Sequence, residues 1–375
     1  MSVARLPDVA GPWRWLAVAL VALLAATGAI DGAAPTLVRA GSLGAARVQT
    51  PPGSRIDAAV IDAAARALPK LRSLLVSHHG RVVFERYYHG AAATRPVNVK
   101  SASKSVISAL VGIAIERGLI PGVRTPIARY FPSLDRDAAK RTIAVEDLLT
   151  MRPGLESTSG RLYGAWVSSR NWVDYALARP MLAAPGASMD YSTGSTHLLS
   201  AILTTATKQS TRSFANEALA RPLGFTLPPW PTDPQGIYFG GNDMLMTSRQ
   251  LLAFATLYLH GGRAGDRQIV PAAWVTKSCE GRPRELPPWA RGTGPGGVPD
   301  PLRDRAYGYG WWVHHLGGHT TCFAWGYGGQ YAFVLPSLEL VIVTTASPDV
   351  SEERRDHRRQ VVELLTRLVV APLAP

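Results

Sequence analysis

The sequence predicts an α+β protein: an antiparallel sheet formed from both chain ends and flanked by helices, with a mainly helical lobe inserted between them. Three observations predict it. Residues 73–88 (SLLVSHHGRVVFERYY) are two β-rich runs around His79-Gly80, the pattern of a hairpin. Residues 307–347 return to strands in YGYGWWVHHL, QYAFVLP and LELVIVTTAS, the last two joined by a turn at Pro336-Ser337. Between them, from about 120 to 300, helical patterns alternate with Pro/Gly turns.

In chain order, Arg5 and Arg14 precede an uncharged run, Leu16–Ile30, and then the small residues Gly32-Ala33-Ala34. A basic start, a 15-residue apolar core and small residues beyond it predict a signal peptide over 1–34, cut between Ala26 and Ala34. The protein is then exported, to the periplasm or beyond. A spanning helix needs about 20 apolar residues, so anchoring in the inner membrane is the alternative reading, with membrane contact only through that segment if it is uncleaved. No cysteine near the cut suggests a lipid anchor. A linker is expected over 35–53 and one folded domain over 54–372, its helical lobe spanning about 125–300.

Ser54, with Asp57 three residues on, reads as a capping box opening an amphipathic helix through Ile56, Val60, Ile61, Ala64 and Leu68. SASKSVISALVGIAIER, 101–117, is apolar on all sides, so its helix is buried, with Gly118 as its C-terminal cap. VEDLLTM, WVDYALA, STHLLSAILTTAT, FANEALARPLG and SRQLLAFATLYLHGG are the helices of the lobe. GRPRELPPWARGTGPGGVPD, 281–300, is an irregular loop, and a charged helix over Glu352–Val369 closes the chain.

A net charge of +13 and a pI near 10.1 raise the question of nucleic acid. The arginines are scattered, and the lysines are only Lys70, Lys100, Lys104, Lys140, Lys208 and Lys277, with no basic helix or aromatic-interleaved patch. The charge therefore reads as a solvated surface, and no nucleic-acid partner is expected. Cys279 and Cys322 either pair, as an oxidising compartment allows, or pack as small buried hydrophobes. His78-His79 and His314-His315 lack metal-ligand spacing, so no metal is expected. Neither a Gly-x-Ser-x-Gly elbow, a P-loop nor a GxGxxG fingerprint occurs.

Ser101-Ala102-Ser103-Lys104 carries the chemistry. Positions i and i+3 of a helix share a face. A serine at the helix mouth lies where the macrodipole favours a developing oxyanion. A lysine in so apolar a helix is costly as a cation, but burial lowers its pKa, and a neutral amine can take a serine's proton. The SxxK match is the only one in the chain.

Around it stand TIAVEDLLTMRPGL (142–155), PGASMDYSTGSTHLLSAIL (185–203), PLGF (222–225), FGGNDMLMTSRQL (239–251) and WGYGGQYAFVLP (325–336). In these landmarks, in this order, the chain resembles the serine β-lactamase and penicillin-binding-protein superfamily, in its class C and esterase-like branch, which includes 6-aminohexanoate-dimer hydrolases. The resemblance covers most of the chain after about residue 70. It implies the β-lactamase/transpeptidase fold, Ser101 as nucleophile, Lys104 as its base and Tyr191, in Tyr191-Ser192-Thr193, as the proton-shuttling tyrosine. It also implies an oxyanion hole from the backbone N–H groups of Ser101 and Tyr327, with Gly326 allowing close approach.

Two departures follow from the same resemblance. Members that process β-lactams carry Lys-Thr-Gly where this chain has Ala324-Trp325-Gly326, and many have asparagine at Thr193. Both losses point away from β-lactams, towards an esterase or amidase using no cofactor and acting on a small-molecule or short peptide-like ester or amide. A DD-peptidase or weak β-lactamase is the rival within the mechanism, and a non-catalytic binding protein retaining the fold is the rival outside it. Tyr163, Trp166, Asn242, Gly326 and Gly328 are candidate substrate contacts. Tyr163 and Trp166 suit core packing equally well, and Asn242 suits a turn. His197 and His260 fall on helical patterns and read as structural.

Overall fold

Asp57, extended at φ −84°, accepts the Ala59 and Val60 amide protons at 3.0 and 3.1 Å and so starts α1, Ala58–Arg66. The sequence placed that cap at Ser54. Asp57 is itself the cap, because its carboxylate satisfies the first free amides of the helix. The computed structural model describes residues 55–282, 302, 304–349 and 354–374, all inside the unit Arg47–Pro375. The expected signal peptide, the linker and nearly all of the 281–300 loop lie outside the described residues.

The hairpin forms as read: β1 (Leu71–His78) and β2 (Arg81–Tyr87) turn through His79 and Gly80. Both turn residues are left-handed (φ 47° and 71°), as a two-residue type I′ turn requires. Two short ladders stand apart from the main sheet: β3 (Val97–Asn98) with β4 (Leu245–Met246), and β5 (Arg263–Ala264) with β6 (Arg267–Gln268). The C-terminal part supplies β7 (Ala306–Tyr307), β8 (Trp312–Leu316), β9 (His319–Gly326), β10 (Gln330–Leu335) and β11 (Leu340–Ala346). The sheet order is β2-β1-β11-β10-β9-β8-β7, each neighbouring pair antiparallel, so the N-terminal hairpin docks beside the last strand.

Period-two alternation divides the core between the two faces of this sheet. Leu75, Val334, Val341 and Val343 point into one apolar cluster with the helical lobe. Leu74, Val76, Phe333, Leu340 and Ile342 point into a second with α1 and the C-terminal helix. That helix, α10 (Arg354–Leu364), covers one face while α8 (Ser248–Leu259) covers the other.

The helices after α1 are α2 (Ser103–Glu116), α3 (Val145–Leu149), α4 (Tyr163–Val167), α5 (Trp172–Leu177), α6 (Thr193–Thr207), α7 (Thr211–Ala215), α8 (Ser248–Leu259), α9 (Ala272–Cys279), α10 (Arg354–Leu364) and α11 (Ala371–Leu373). α7 and α10 run on as π-helical turns, Asn216–Ala220 and Leu365–Val370. Every residue of α2 from Ser103 to Ala114 is buried, as its all-round apolar pattern predicts. Cys279 at the end of α9 and Cys322 on β9 form a disulfide, Cα atoms 5.4 Å apart. Of the two readings left open for these cysteines, the pairing one holds. It ties the lobe to the strand that leads to the site.

Candidate active site

Ser101 sits on a 3₁₀ turn, Lys100–Ala102, that runs directly into α2. The turn is held from both sides. Lys100 is left-handed (φ 53°); its amide donates to Asn98 Oδ1 at 2.8 Å, and its ammonium lies 3.3 Å from Asp243 Oδ1. Such a conformation costs about 1 kcal/mol or more for a residue with a side chain, so these contacts fix where Ser101 is presented. Ser101 and Lys104 stand three residues apart across the junction of that turn with α2, so their side chains share one face.

Lys104 is 1% exposed. Its Nζ donates to Ser101 Oγ (3.1 Å), Thr193 Oγ1 (3.3 Å) and the Gly241 carbonyl (2.5 Å). Burial pulls its pKa down to about 7, from 10.5. Near neutral pH a large share of the amine is therefore uncharged, with two N–H donors and one lone pair. Gly241 and Thr193 can take the two donors, leaving the lone pair for the Ser101 hydroxyl proton.

Tyr191 is partly buried, one side of its ring facing the cavity beside Ser101. Burial lifts its pKa to about 12, although its hydrogen bond with Ser101 and the nearby Arg305 charge both pull the other way. The ring stacks on Trp312 (centroids 5.5 Å, 21°), and Lys104 Nζ lies 5.0 Å from its centre. Serine, amine and phenol thus meet at one point, the phenol remaining protonated at any ordinary pH.

The far wall is the β9–β10 turn. A Cβ on Gly326 would lie 2.2 Å from the Val99 carbonyl, so only glycine lets β9 approach the serine turn this closely. A cavity of about 310 Å³ opens beside the serine, lined by Ser101, Tyr191, Arg305, Trp312, Trp325 and Tyr327. The Arg305 guanidinium lies over both tryptophans, 4.7 Å from Trp312 and 4.6 Å from Trp325. Ala324 is buried with no exposure, so no cation stands where the β-lactam-processing relatives have lysine.

The sequence pattern of the family described as Beta-lactamase matches residues 61–366. The chain belongs to the Beta-lactamase family. Within the wider serine β-lactamase and penicillin-binding-protein superfamily, several solved structures share its fold. A candidate 6-aminohexanoate-dimer hydrolase from Bacillus anthracis is 20% identical (TM-score 0.62, covering 82% of this chain and 80% of that one). The octameric penicillin-binding protein homologue from Pyrococcus abyssi is 16% identical (TM-score 0.60, 84% and 79%). The D-stereospecific amidohydrolase from a Streptomyces species is also 16% identical (TM-score 0.60, 80% and 97%). No curated protein matches the sequence. The family and these neighbours make the chain a hydrolase of the β-lactamase fold.

In this Beta-lactamase family member the structure brings Ser101, Lys104 and Tyr191 together and sets Tyr327 on the cavity wall with Ser101 and Tyr191. Gly326 serves the approach of β9 to the serine turn and does not itself line the cavity, and neither do the other candidates. Trp166 has no exposure: it packs among Trp172, His197 and Phe239 and donates its indole proton to the Trp172 carbonyl at 2.9 Å, so it is core. Tyr163 and Asn242 bond each other, Asn242 Nδ2 to Tyr163 Oη at 2.7 Å, beside Gly241. Gly328 is left-handed (φ 89°), and a Cβ there would press on Ser347 and Pro348, so it serves the turn. His197 is structural as read, paired with Asp233 at 3.0 Å in the core, and His260 caps α8. Among the described residues no group of three ligating side chains could hold a metal.

Arg305, Trp312 and Trp325 were missed. Trp312 and Trp325 are legible only as strand residues, and Arg305 follows a loop without pattern; nothing local marks them as pocket walls.

Proposed function

We propose that the protein is a serine hydrolase that cleaves an ester or amide through a covalent acyl-enzyme on Ser101. The observation that carries this is a lysine amine, buried and with a pKa of about 7, standing 3.1 Å from a serine hydroxyl. Lys104 accepts the Ser101 proton as Oγ bonds to the carbonyl carbon. The backbone N–H groups of Ser101 and Tyr327 hold the resulting oxyanion. The carbonyl re-forms, the bond to the leaving alcohol or amine breaks, and that group departs with a proton delivered through the Tyr191 hydroxyl. Water, deprotonated by the same amine, then releases the acyl group as the acid.

Support for esters and amides over β-lactams comes from the buried Ala324 in place of a lysine and from a pocket walled mainly by Tyr191, Trp312, Trp325 and Tyr327, which suits an apolar acyl group. Arg305 favours a second reading, a weak β-lactamase or DD-peptidase, because it lines the same pocket with a cation able to pair with a substrate carboxylate. A screen of short acyl esters, amides and a chromogenic cephalosporin, on wild type and Ser101→Ala, tests both. Ester or amide turnover lost in Ser101→Ala supports the first; rapid cephalosporin hydrolysis supports the second; a folded protein inert to all of them supports a non-catalytic binding role.

We also propose export, on the N-terminal pattern over 1–34 and on the Cys279–Cys322 disulfide, which suits an oxidising compartment.

A further inference from the structure

Three consecutive hydroxyl residues, Ser157, Thr158 and Ser159, lie along the segment that carries Tyr191. Ser157 Oγ donates to the Tyr191 carbonyl at 2.7 Å, and its amide donates to Asp190 Oδ2 at 3.1 Å. The Thr158 amide donates to Ser192 Oγ at 3.1 Å, while Thr158 Oγ1 accepts the Gly194 amide proton at 2.9 Å. Ser159 Oγ accepts the Thr193 amide proton at 2.9 Å and pairs with Thr193 Oγ1 at 3.0 Å. Thr193 and Gly194 open α6, whose own N-cap, Ser192, makes no capping bond. The free amides of that helix end are therefore capped by a neighbouring loop rather than by the helix's own N-cap.

We propose that Ser159 is a positioning residue for Lys104, acting through the Thr193 hydroxyl. This rests on Lys104 being the base for Ser101. A neutral amine has two protons to give, and its lone pair must face the serine. The Gly241 carbonyl can only accept, so it takes one proton. Thr193 Oγ1 takes the other only if its own proton points away; in its 3.0 Å bond with Ser159 Oγ either oxygen can donate, and the proposed role requires Thr193 to be the donor. Were the Thr193 proton turned to Lys104, it would occupy the lone pair that Ser101 needs. The same hydroxyl that caps α6 thereby sets the direction of the bond between Thr193 and the base, at a position where many relatives carry asparagine.

The test compares Ser159→Ala, Thr193→Val, Thr193→Ser and Thr158→Val with wild type, using turnover of a p-nitrophenyl ester against pH, labelling by a fluorophosphonate, and melting temperature. Ser159→Ala should lose about tenfold in kcat, with little change in KM. The acid limb of its pH profile should move lower, because a Thr193 proton donated to the lone pair favours the neutral amine. Thr193→Val should move the limb the same way, by removing an acceptor for the charged amine, and Thr193→Ser should restore it. Thr158→Val, which uncaps Gly194 without touching the Thr193 hydroxyl, should lower the melting temperature and leave the limb in place. A Ser159→Ala enzyme with the wild-type limb, or with losses that match Thr158→Val, overturns the inference. A wild type that the fluorophosphonate does not label fails earlier and separately: it overturns the hydrolase reading, and this one with it.

Discussion

In the proposed mechanism Lys104 carries the chemistry, and its burial comes at a cost to the fold. Its pKa is about 7 in place, against 10.5 for a free lysine side chain, because burial disfavours the charge. Between those values the unfolded chain binds a proton that the folded chain has released, so stability should rise with pH across that window and be flat below it. Lys104→Met removes the penalty. We expect it to raise the melting temperature at pH 7, by a stabilisation of a few kcal/mol at most, while abolishing turnover; a lower melting temperature would mean that the amine's three hydrogen bonds outweigh its desolvation. In the same proposed mechanism Tyr191, protonated up to about pH 12, acts as a donor and not as an anionic base. Tyr191→Phe should therefore cost about 10²–10⁴ in kcat and leave the acid limb unmoved, which a pH–rate profile checks. The serine and lysine were legible because their spacing states a geometry. Arg305 and the two tryptophans were not, since a pocket wall assembled from separate strands leaves no local period.

The serine turn and the β9–β10 turn work as two facing elements, and their separation is set by one absent side chain. Gly326→Ala places a Cβ against the Val99 carbonyl and the side chains of Lys100 and Gln330. We expect a folded protein in which β9 has moved away from Ser101, with kcat reduced about 10²-fold or more, as when an oxyanion donor is lost; circular dichroism together with ester turnover separates this from unfolding. At this scale the long helices and the hairpin were readable, since each has a period and a stop signal. α4 and α9 were not. They are short, at five and eight residues, yet α3 and α5, at five and six, were read, so length alone does not account for it. Trp166 misled because an aromatic residue on a short helix near the site reads the same from either side, and only burial shows that it faces the core.

For the whole molecule, the joining of both chain ends in one sheet was legible from β patterns at the two ends, but the cross-link from lobe to sheet was not. The Cys279–Cys322 bond closes a sequence separation of 43. A loop of that size stabilises by about 2–4 kcal/mol in the chain-entropy account, so Cys279→Ser/Cys322→Ser should melt several degrees lower without losing Ser101 labelling. His357 adds an acid limit. It is buried under the Gly329 turn, with neither ring nitrogen hydrogen-bonded, and its pKa falls to about 4, first through burial and then through the Lys70 and Arg72 charges. The unfolded chain takes up a proton near 6.5 that the folded chain resists until about 4, so stability should fall as pH drops through that interval. His357→Leu should flatten the fall; an unchanged acid profile in urea titrations would remove His357 as its source.

The most direct measurement is the rate at which a fluorophosphonate labels the wild-type protein as a function of pH, with the adduct located by mass spectrometry. A neutral amine acting as base to the serine predicts one adduct, on Ser101, whose rate of formation climbs through about pH 7 and is lost in Lys104→Met. An adduct elsewhere, or a rate on Ser101 that ignores both pH and the loss of Lys104, would contradict it.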